Sequence, residues 1–452
     1  MNDNYSIDKK ETIQDALKKI EANHLGLVVV KEGNKVIGVL SDGDIRNVLI
    51  RKNDFNIKIS EVVNTKFTYL FEKDSSRENI LKLLDTRIRA IPILTENYIL
   101  KDVVSVNDID WSRSNNVISK AKSPVRITFA GGGTDLTSYY YDSDGIVFNA
   151  TINKYTHAVL ERRLDSCIQI ISYDLDEEVC VNDISDLKLN GTLDLIKSII
   201  INLNPSFGFN LYTYSDIPSG SGLGGSAVVA SAIIGAFNNF RDSKLDIYEI
   251  AELAFQSERI TLGLDGGWQD QYATVFGGFN YIEFNDKGNI VNPLKISSDT
   301  LNELEDTLLL CYTGKNHNSG YIHDDMRSQM KKVDQKKYAE KSKEIAYKMK
   351  SKLLQGKLND FGLLLGEAWE IKKKFSDRIS NDDLDAIYEY AIKKGASGGK
   401  LLGAGDGGYF LFYVPTKNKM NFIKHMKTKN MQVDNFNFDE LGLRTWLTKT
   451  KL

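Results

Sequence analysis

An ungapped internal repeat is the feature that most constrains how the first hundred residues fold. When the sequence is moved along itself by 64 positions, apolar residues fall on apolar residues in three consecutive segments. The superposed pairs include Ala16 with Ile80, Leu27 with Ile91, and Val39 with Val103. Each unit has the pattern of an amphipathic helix followed by two short strands and a second helix. Because so small a unit cannot bury both of its faces alone, we expect the two to pack as a pseudo-twofold pair.

Both units carry the pattern Ser-x-x-Asp after a strand, in VIGVLSDGDI (36–45) and LKDVVSVNDI (100–109). A short hydroxyl and a carboxylate at a helix start suit a ribose diol, although the same pattern also forms a simple helix N-cap. Residues 1–112 resemble a CBS-domain pair of βαβ-type repeats, with repeats at about 1–55 and 56–112. The resemblance implies an adenine or guanine nucleotide, and a homodimer. The residues that it implies for the nucleotide are Ser41, Asp44, Ser105 and Asp108.

The remainder of the chain has a different pattern. Residues 113–122 are polar and lack strong periodicity, which is typical of a linker. From residue 123 to 452, strand-like runs alternate with long helical patterns, so we expect an α+β domain. The clearest strand-like runs are Val125–Phe129, Phe279–Phe284 and Tyr409–Val414.

Composition excludes several classes of protein. The 58 basic and 61 acidic residues leave a net charge of −3, which gives no basic field for nucleic acid. Apolar stretches are too short to cross a membrane, and the N-terminus has no apolar signal segment. The three cysteines lack CxxC spacing, which disfavours structural zinc. We therefore expect a cytoplasmic protein with no membrane or nucleic-acid partner.

A glycine-rich segment, DIPSGSGLGGSAVVASAIIGAF (216–237), is the most informative part of the second half. Glycines let backbone N–H groups approach a phosphate, and the helix that follows adds favourable partial charge at its N-terminus. A hydroxyl at Ser226 can bind Mg²⁺ on that phosphate. The segment lacks the Gly-Lys-Ser/Thr of a Walker A loop and the pattern of a Rossmann fingerprint.

Three motifs occur in the order typical of the GHMP kinases: SPVRITFAGGGTDL (123–136), PSGSGLGGSA (218–227) and KLLGAGDGGYFLFYV (400–414). The resemblance covers essentially all of 123–452. It implies a two-lobed α+β fold, with an ATP-binding part at about 123–295 and a C-terminal part at about 296–452. The residues that it implies for ATP are Pro218, Gly220, Ser221, Gly222, Leu223, Gly224, Gly225 and Ser226.

Phosphoryl transfer also needs a metal and a group that activates the attacking hydroxyl. The resemblance implies that Ser226 and Glu258 bind Mg²⁺ and that Asp270 acts as base, with Arg126 beside it. A cation there would keep Asp270 ionised. From the residues alone, a solvated Glu258 and a helix-capping Asp270 are the alternatives. The resemblance places the sugar substrate at Gly132, Gly133, Thr134, Asp135 and Gly405.

The strings GGGTDL, GGWQDQYATVFGGFNYIEF and GEAWEIKKKFSDRIS (366–380) resemble the D-glycero-D-manno-heptose 7-phosphate kinases. That resemblance implies phosphorylation of the anomeric hydroxyl to the 1,7-bisphosphate, for surface polysaccharide. A fucokinase-like enzyme acting on a neutral sugar and a non-catalytic sensor are the alternatives. A phosphorylated substrate needs cations, for which the sequence offers Lys154, Arg162, Arg163, Lys372 to Lys374 and Lys400.

Overall fold

The structure is a computed structural model. It describes residues 4–52, 54–75, 79–80, 83, 88, 90–105, 117–163, 165–315, 325 and 333–449. The chain divides into two compact units, Met1–Ser114 and Asn115–Leu452. Within the described ranges, no helix is long and apolar enough to cross a membrane.

The first unit contains two three-stranded sheets with the same order and orientation. Its elements are β1 (Ser6–Asp8), α1 (Ile13–Asn23), β2 (Leu27–Glu32), β3 (Lys35–Ser41), α2 (Asp42–Lys52), β4 (Leu70–Phe71), β5 (Ala90–Leu94) and β6 (Leu100–Ser105). In each sheet the first strand runs parallel to the second, and the second runs antiparallel to the third. These strands follow the predicted repeat.

The pairing of residues follows the same 64-residue offset. Ser6 lies opposite Val29, and Leu70 lies opposite Ile93. An isolated antiparallel bridge joins Lys35 to Ile99, two equivalent positions of the repeat. One buried cluster draws side chains from both sheets: Val29, Val36, Ala90, Leu94, Leu100 and Val103. The two sheets therefore bury a shared apolar surface, as expected of units too small to do so singly.

The second unit is an α+β fold, as predicted. Its elements up to residue 293 are β7 (Val117–Ala130), α3 (Thr137–Tyr140), β8 (Gly145–Arg162), β9 (Ile168–Ser172), β10 (Glu177–Val181), α4 (Asp194–Leu203), β11 (Phe209–Ser215), α5 (Gly225–Asn238), α6 (Ile247–Phe255), α7 (Gln269–Phe276), β12 (Phe279–Asn285) and β13 (Gly288–Pro293). The later elements are α8 (Ser298–Thr307), β14 (Leu308–Tyr312), α9 (Val333–Leu354), α10 (Leu358–Lys372), α11 (Asp382–Lys393), β15 (Gly398–Leu401), β16 (Tyr409–Tyr413), α12 (Thr416–Lys427), β17 (Gln432–Asp434) and β18 (Arg444–Lys449).

The long strand β8 organises the larger sheet. It pairs with β7 along one edge, while β12 and β11 pair with successive halves of its other edge. A separate four-stranded sheet has the order β15-β16-β14-β17. The helix α5, which follows the glycine-rich loop, packs against β7 and β8 and is almost entirely buried.

One predicted boundary is wrong, and one strand pairs outside the part of the chain to which it was assigned. Residues 117–122 were expected to be linker, but they form the start of β7, because their backbone pairs with β18 on one side and β8 on the other while alternate side chains are buried. The last strand, β18, lies in the expected C-terminal part, yet it pairs with β7 in the N-terminal sheet. Pairing covers an edge of β7 that would otherwise expose backbone hydrogen-bonding groups.

An aromatic cluster joins α10 to the two long strands. The ring of Phe361 lies edge-on to Phe129 at 5.1 Å and to Phe148 at 6.5 Å between centroids. All three side chains are fully buried. This contact holds α10, and with it Lys372 at the end of that helix, against the strand that carries the first motif.

We expect Phe361→Ala to lower the free energy of unfolding by about 3–5 kcal/mol, because it removes a buried ring and leaves a cavity. Urea denaturation followed by tryptophan fluorescence measures this change. Leu363→Ala, on the same helix but 56% exposed, is the control and should cost about 0.5 kcal/mol or less. Equal midpoints for the two variants would contradict the importance of the aromatic cluster.

Candidate active site

The glycine-rich loop adopts a backbone that only glycine accepts readily. Gly220, Gly222 and Gly224 all have positive φ, at 72°, 82° and 82°. Alternating conformations of this kind turn successive backbone N–H groups toward one concave surface, which binds anions. The loop leads directly into α5, whose N-terminus adds favourable partial charge for a phosphate.

The third motif packs directly on this loop. A Cβ atom on Gly403 would lie 2.4 Å from the Cα of Gly222, so no side chain fits between the two turns. The backbone N–H of Tyr409 donates to the carbonyl of Ser221 at 3.1 Å. The segment 402–408 is therefore a tight turn that supports the loop, as its sequence indicates.

Arg126 and Asp270 form a bidentate ion pair beside the loop. The Nε and Nη2 atoms of Arg126 each donate to one carboxylate oxygen of Asp270 at 2.7 Å. Its Nη1 atom donates to the carbonyl of Gly222, also at 2.7 Å. The arginine side chain is 5% exposed and the aspartate 17%. The pair thus fixes the carboxylate on α7 against both β7, which carries Arg126, and the glycine-rich loop.

Two cavities meet at this ion pair. The larger, of about 790 Å³, is lined by the glycine-rich loop, Ser226, Glu258 and apolar side chains that include Leu193 and Ile196. The smaller is lined by Gly131, Gly132, Gly133 and Asp135 of the first motif and by Gln269. Arg126 and Asp270 line both. A donor bound in one cavity and an acceptor bound in the other would meet at the Asp270 carboxylate.

Glu258 lies in a short π-helical segment, Gln256–Thr261, and only 3% of its side chain is exposed. One carboxylate oxygen accepts a hydrogen bond from Gln271 at 2.8 Å, and the other lies 3.4 Å from the guanidinium of Arg259. Glu258 is therefore not the solvated surface residue that was the alternative. It lines the same cavity as Ser226, the second residue of α5.

Asp135 is held rigidly in the smaller cavity. Its carboxylate accepts hydrogen bonds from the backbone N–H groups of Gly133 at 3.0 Å and Gln269 at 3.1 Å, and it is 2% exposed. Burial raises the pKa of Asp135 above its ordinary value, and the negative charge of Asp270 acts in the same direction. A Cβ on Gly267 would lie 1.8 Å from this carboxylate, so the Gly-Gly turn before α7 makes room for it.

Three of the predicted site residues do not line either cavity. The hydroxyl of Thr134 donates to the carbonyls of Gly131 and Ile146 at 2.8 Å, which ties the first motif to β8. The side chain of Leu223 is buried in the core, while its carbonyl accepts from the backbone N–H of Arg126. Gly405 packs on the backbone of Ile379, and its neighbours Gly403 and Ala404 line the cavities instead.

Only some of the basic residues that the sequence offered for a substrate phosphate line a cavity. Lys372 and Lys400 line the smaller cavity, together with Arg259, which was not among the predicted cations. Arg162 lies over the ring of Phe207, and Arg163 pairs with Asp165, away from both cavities. The position of Lys400 at the start of the third motif was a usable signal in the sequence, whereas the sequence does not show in which direction each side chain points.

In the first unit, Ser41 and Asp44 bond to each other. The Ser41 hydroxyl donates to the Asp44 carboxylate at 2.6 Å, and the Asp44 N–H donates back to the hydroxyl at 3.2 Å. This is the helix N-cap that the sequence also allowed. Ser105 is buried at the end of β6, and Asp108 lies outside the described residues.

Family comparisons agree with this geometry. The profile of the GHMP kinases N terminal domain matches residues 192–278, and that of the GHMP kinases C terminal matches residues 349–429. The CBS domain profile matches residues 1–51.

Individual relatives cover nearly the whole second unit. The D-glycero-alpha-D-manno-heptose 7-phosphate kinase of Campylobacter jejuni is 38% identical over 333 residues, which are 72% of this chain and 98% of that protein. The L-fucokinase/L-fucose-1-P guanylyltransferase of Bacteroides fragilis is 29% identical over 71% of this chain and 37% of its own length. The crystal structure of a D-glycero-D-manno-heptose 1-phosphate kinase from Bacteroides thetaiotaomicron is 33% identical, with a TM-score of 0.61 over 73% of this chain and 98% of that one.

A glycine-rich loop before a helix, a partly buried carboxylate at the junction of two cavities and homology to sugar kinases define the second unit as an ATP-dependent phosphotransferase that acts on a sugar. The chain belongs to the GHMP kinase family and carries an N-terminal CBS domain.

We expect Gly224→Ala to reduce kcat/KM for ATP about tenfold or more. Gly224 has a φ of 82°, and a Cβ there would lie 3.3 Å from the Asp270 carboxylate. A non-glycine residue in that conformation costs about 1–3 kcal/mol. Steady-state kinetics with varied ATP measures the loss. Gly225→Ala is the matched variant, since its Cβ meets no atom within 4 Å and its φ is not positive. An equal loss in both variants would contradict this account.

Proposed function

We propose that the protein phosphorylates the anomeric hydroxyl of D-glycero-D-manno-heptose 7-phosphate with ATP, giving the 1,7-bisphosphate. The observation that carries the proposal is the Asp270 carboxylate, which is held by Arg126 at the junction of the two cavities. In this reading ATP binds in the larger cavity along the glycine-rich loop, and the sugar binds in the smaller one beside Asp135.

The transfer follows from this placement. The anomeric hydroxyl gives its proton to an Asp270 oxygen, and its oxygen attacks the γ-phosphorus of ATP. The bond from that phosphorus to the β–γ bridging oxygen breaks, and ADP leaves. Each carboxylate oxygen keeps a lone pair beyond the one used by Arg126, so the base remains competent. Arg126 orients that base, and its charge stabilises negative charge that develops on the transferred group.

Oxygen donors on the nucleotide side suit Mg²⁺. The Ser226 hydroxyl and the Glu258 carboxylate line the same cavity, and Mg²⁺ binds few protein oxygens together with phosphates and water. We propose that these two residues hold it, where it would neutralise the phosphates of ATP. Gln271 and Arg259 are not proposed metal ligands. They orient the Glu258 carboxylate through a hydrogen bond and an ion pair.

The choice of a heptose phosphate rests on the Campylobacter jejuni relative, named for that substrate, which this chain covers almost completely. The Bacteroides fragilis relative, a fucokinase, favours a neutral sugar as the second candidate. The intact set of Arg126, Asp270, Ser226 and Glu258 in the paired cavities supports an enzyme over a non-catalytic sensor.

The experiment is an ADP-release assay with Mg-ATP and five sugars: D-glycero-D-manno-heptose 7-phosphate, sedoheptulose 7-phosphate, fucose, mannose and galactose. We expect strong turnover with the heptose phosphate alone. Asp270→Asn should lower kcat on it by about 10²–10⁴-fold, the usual contribution of a general base, while ATP binding is retained.

Asp286→Asn, in an exposed turn between β12 and β13, is the control for loss of a carboxylate and should keep normal kinetics. Turnover with fucose or mannose in place of the heptose phosphate would contradict the proposed substrate and support the fucokinase-like function. Normal turnover by Asp270→Asn would remove that residue from the role of base.

We also propose that the first unit binds an adenine or guanine nucleotide at the start of α2 and so regulates the kinase. The support is the helix start itself, where the reciprocally bonded Ser41 and Asp44 place a hydroxyl and a carboxylate side by side. Such a pair can bind a ribose diol when the carboxylate exchanges one hydrogen bond for another. The residues that carry it lie in the part matched by the CBS domain profile.

We expect ATP-saturated turnover of the full chain to change when AMP, ADP, GMP or GDP is added, and Asp44→Ala to abolish the change. The carboxylate supplies the acceptors that a ribose diol needs. Asp42→Ala, exposed in the same helical turn, is the control and should keep the response. An unaltered response in Asp44→Ala would place any nucleotide effect elsewhere.

A further inference from the structure

Two lysines on the sugar side of the site have no part in the chemistry described above. Lys400 begins the third motif on β15 and is 5% exposed; its Nζ atom donates to the carbonyl of Phe129 at 3.2 Å. Lys372 ends α10, and its Nζ atom donates to the carbonyls of Leu401 at 2.8 Å and Gly403 at 2.6 Å. Neutral carbonyls hold both ammonium groups in place without neutralising their charge.

The smaller cavity carries more positive than negative charge. Among the described residues that line it, Arg126, Arg259, Lys372 and Lys400 are cationic, while only Asp135 and Asp270 are anionic. Asp270 is already paired with Arg126, and Asp135 accepts from backbone N–H groups. In the described part of the chain, no ion pair joins Lys372 or Lys400 to a carboxylate. A buried charge without a partner is costly, so each lysine either loses its proton or gains an anionic partner, and a bound anion allows both to stay charged.

The two lysines lie on one side of the Arg126–Asp270 pair. Both line the smaller cavity, and neither lines the larger one, where the glycine-rich loop supplies N–H groups for the nucleotide phosphates. The anion that they suit therefore enters with the sugar. An ammonium group has three donors, so each lysine has donors beyond those given to the carbonyls.

We propose that Lys372 and Lys400 form a subsite for the phosphate that the sugar substrate already carries. The inference rests on the proposed function and deepens it, because it assigns the preference for a sugar phosphate to two residues. The preference then arises by electrostatics: a phosphorylated sugar neutralises both ammonium groups, whereas a neutral sugar leaves them buried and unpaired.

The charge state of the lysines supports this role. Burial lowers the pKa of Lys400 to about 7, and the charge of Arg126 acts in the same direction. Burial also lowers the pKa of Lys372 well below its ordinary value, with Lys400 and Arg126 adding to the effect. A phosphate dianion would raise both pKa values, so the sugar phosphate should bind with uptake of protons above pH 7.

The test compares D-glycero-D-manno-heptose 7-phosphate with the same heptose lacking phosphate, in wild type and in Lys400→Met. We expect the ratio of kcat/KM for the two sugars to fall about 10- to 100-fold in the variant, the usual effect of losing one charge-assisted hydrogen bond. Lys372→Met should lower the same ratio. Lys373→Met is the matched control, since this lysine pairs with Glu370 and Asp385 and does not line the cavity.

Binding of an ATP analogue and the thermal midpoint show whether each variant is folded. Calorimetry at pH 8, in buffers of different ionisation enthalpy, measures protons taken up when heptose 7-phosphate binds. We expect uptake in wild type and a smaller uptake in Lys400→Met, which a purely structural role for the lysine would not produce.

The outcomes separate the two proposals. If wild type prefers the heptose phosphate strongly but both lysine variants keep that preference, the subsite is overturned and the proposed substrate stands. An equal fall of kcat on both sugars in Lys400→Met would instead place the lysine at the transferred phosphoryl group and overturn the subsite. If wild type uses only neutral sugars, the proposed substrate fails and the phosphate subsite fails with it.

Discussion

The ion pair between Arg126 and Asp270 is the interaction on which the geometry of the kinase unit depends. Its partners are 144 residues apart, and a third bond from the same guanidinium reaches Gly222, 96 residues from the arginine. One nearly buried side chain thus joins β7, α7 and the glycine-rich loop. Removing one member of such a buried pair leaves an uncompensated charge, at a cost of about 3–5 kcal/mol. The same contacts place the carboxylate where the two cavities meet.

Close backbone approach is the second constraint, and glycine alone permits it. The turn at Gly403 touches Gly222, and a Cβ on Gly224, whose φ is positive, would lie only 3.3 Å from the Asp270 carboxylate. Gly267 similarly makes way for the carboxylate of Asp135. The three sequence motifs therefore pack directly against one another. Their glycines serve the approach of one motif to another as much as the approach of a phosphate to the backbone.

The two cavities divide the electrostatic work. In the larger cavity, which we propose for the nucleotide, backbone N–H groups, the Ser226 hydroxyl and the Glu258 carboxylate suit phosphates that bind together with a divalent cation. The smaller cavity, which we propose for the sugar, is lined by Lys372 and Lys400, and within the described residues no carboxylate pairs with either lysine. Arg126 lines both cavities. This division is what the proposed transfer from ATP to a sugar that already carries a phosphate requires.

The resemblance to the GHMP kinases implied that Arg126 lies beside Asp270. The sequence by itself determined the 64-residue repeat, the α+β class and the three ordered motifs, because periodicity, glycine spacing and motif order are local properties of the chain. It did not determine which motif residues face the ligand. Thr134 and Leu223 anchor their loops from behind, and residues 117–122 form a strand because β18 returns from the end of the chain to pair with it. Nor did it show that Lys372 and Lys400 face the cavity while Arg162 and Arg163 do not. Those choices depend on contacts between residues tens to hundreds of positions apart, and only tertiary packing brings such residues together.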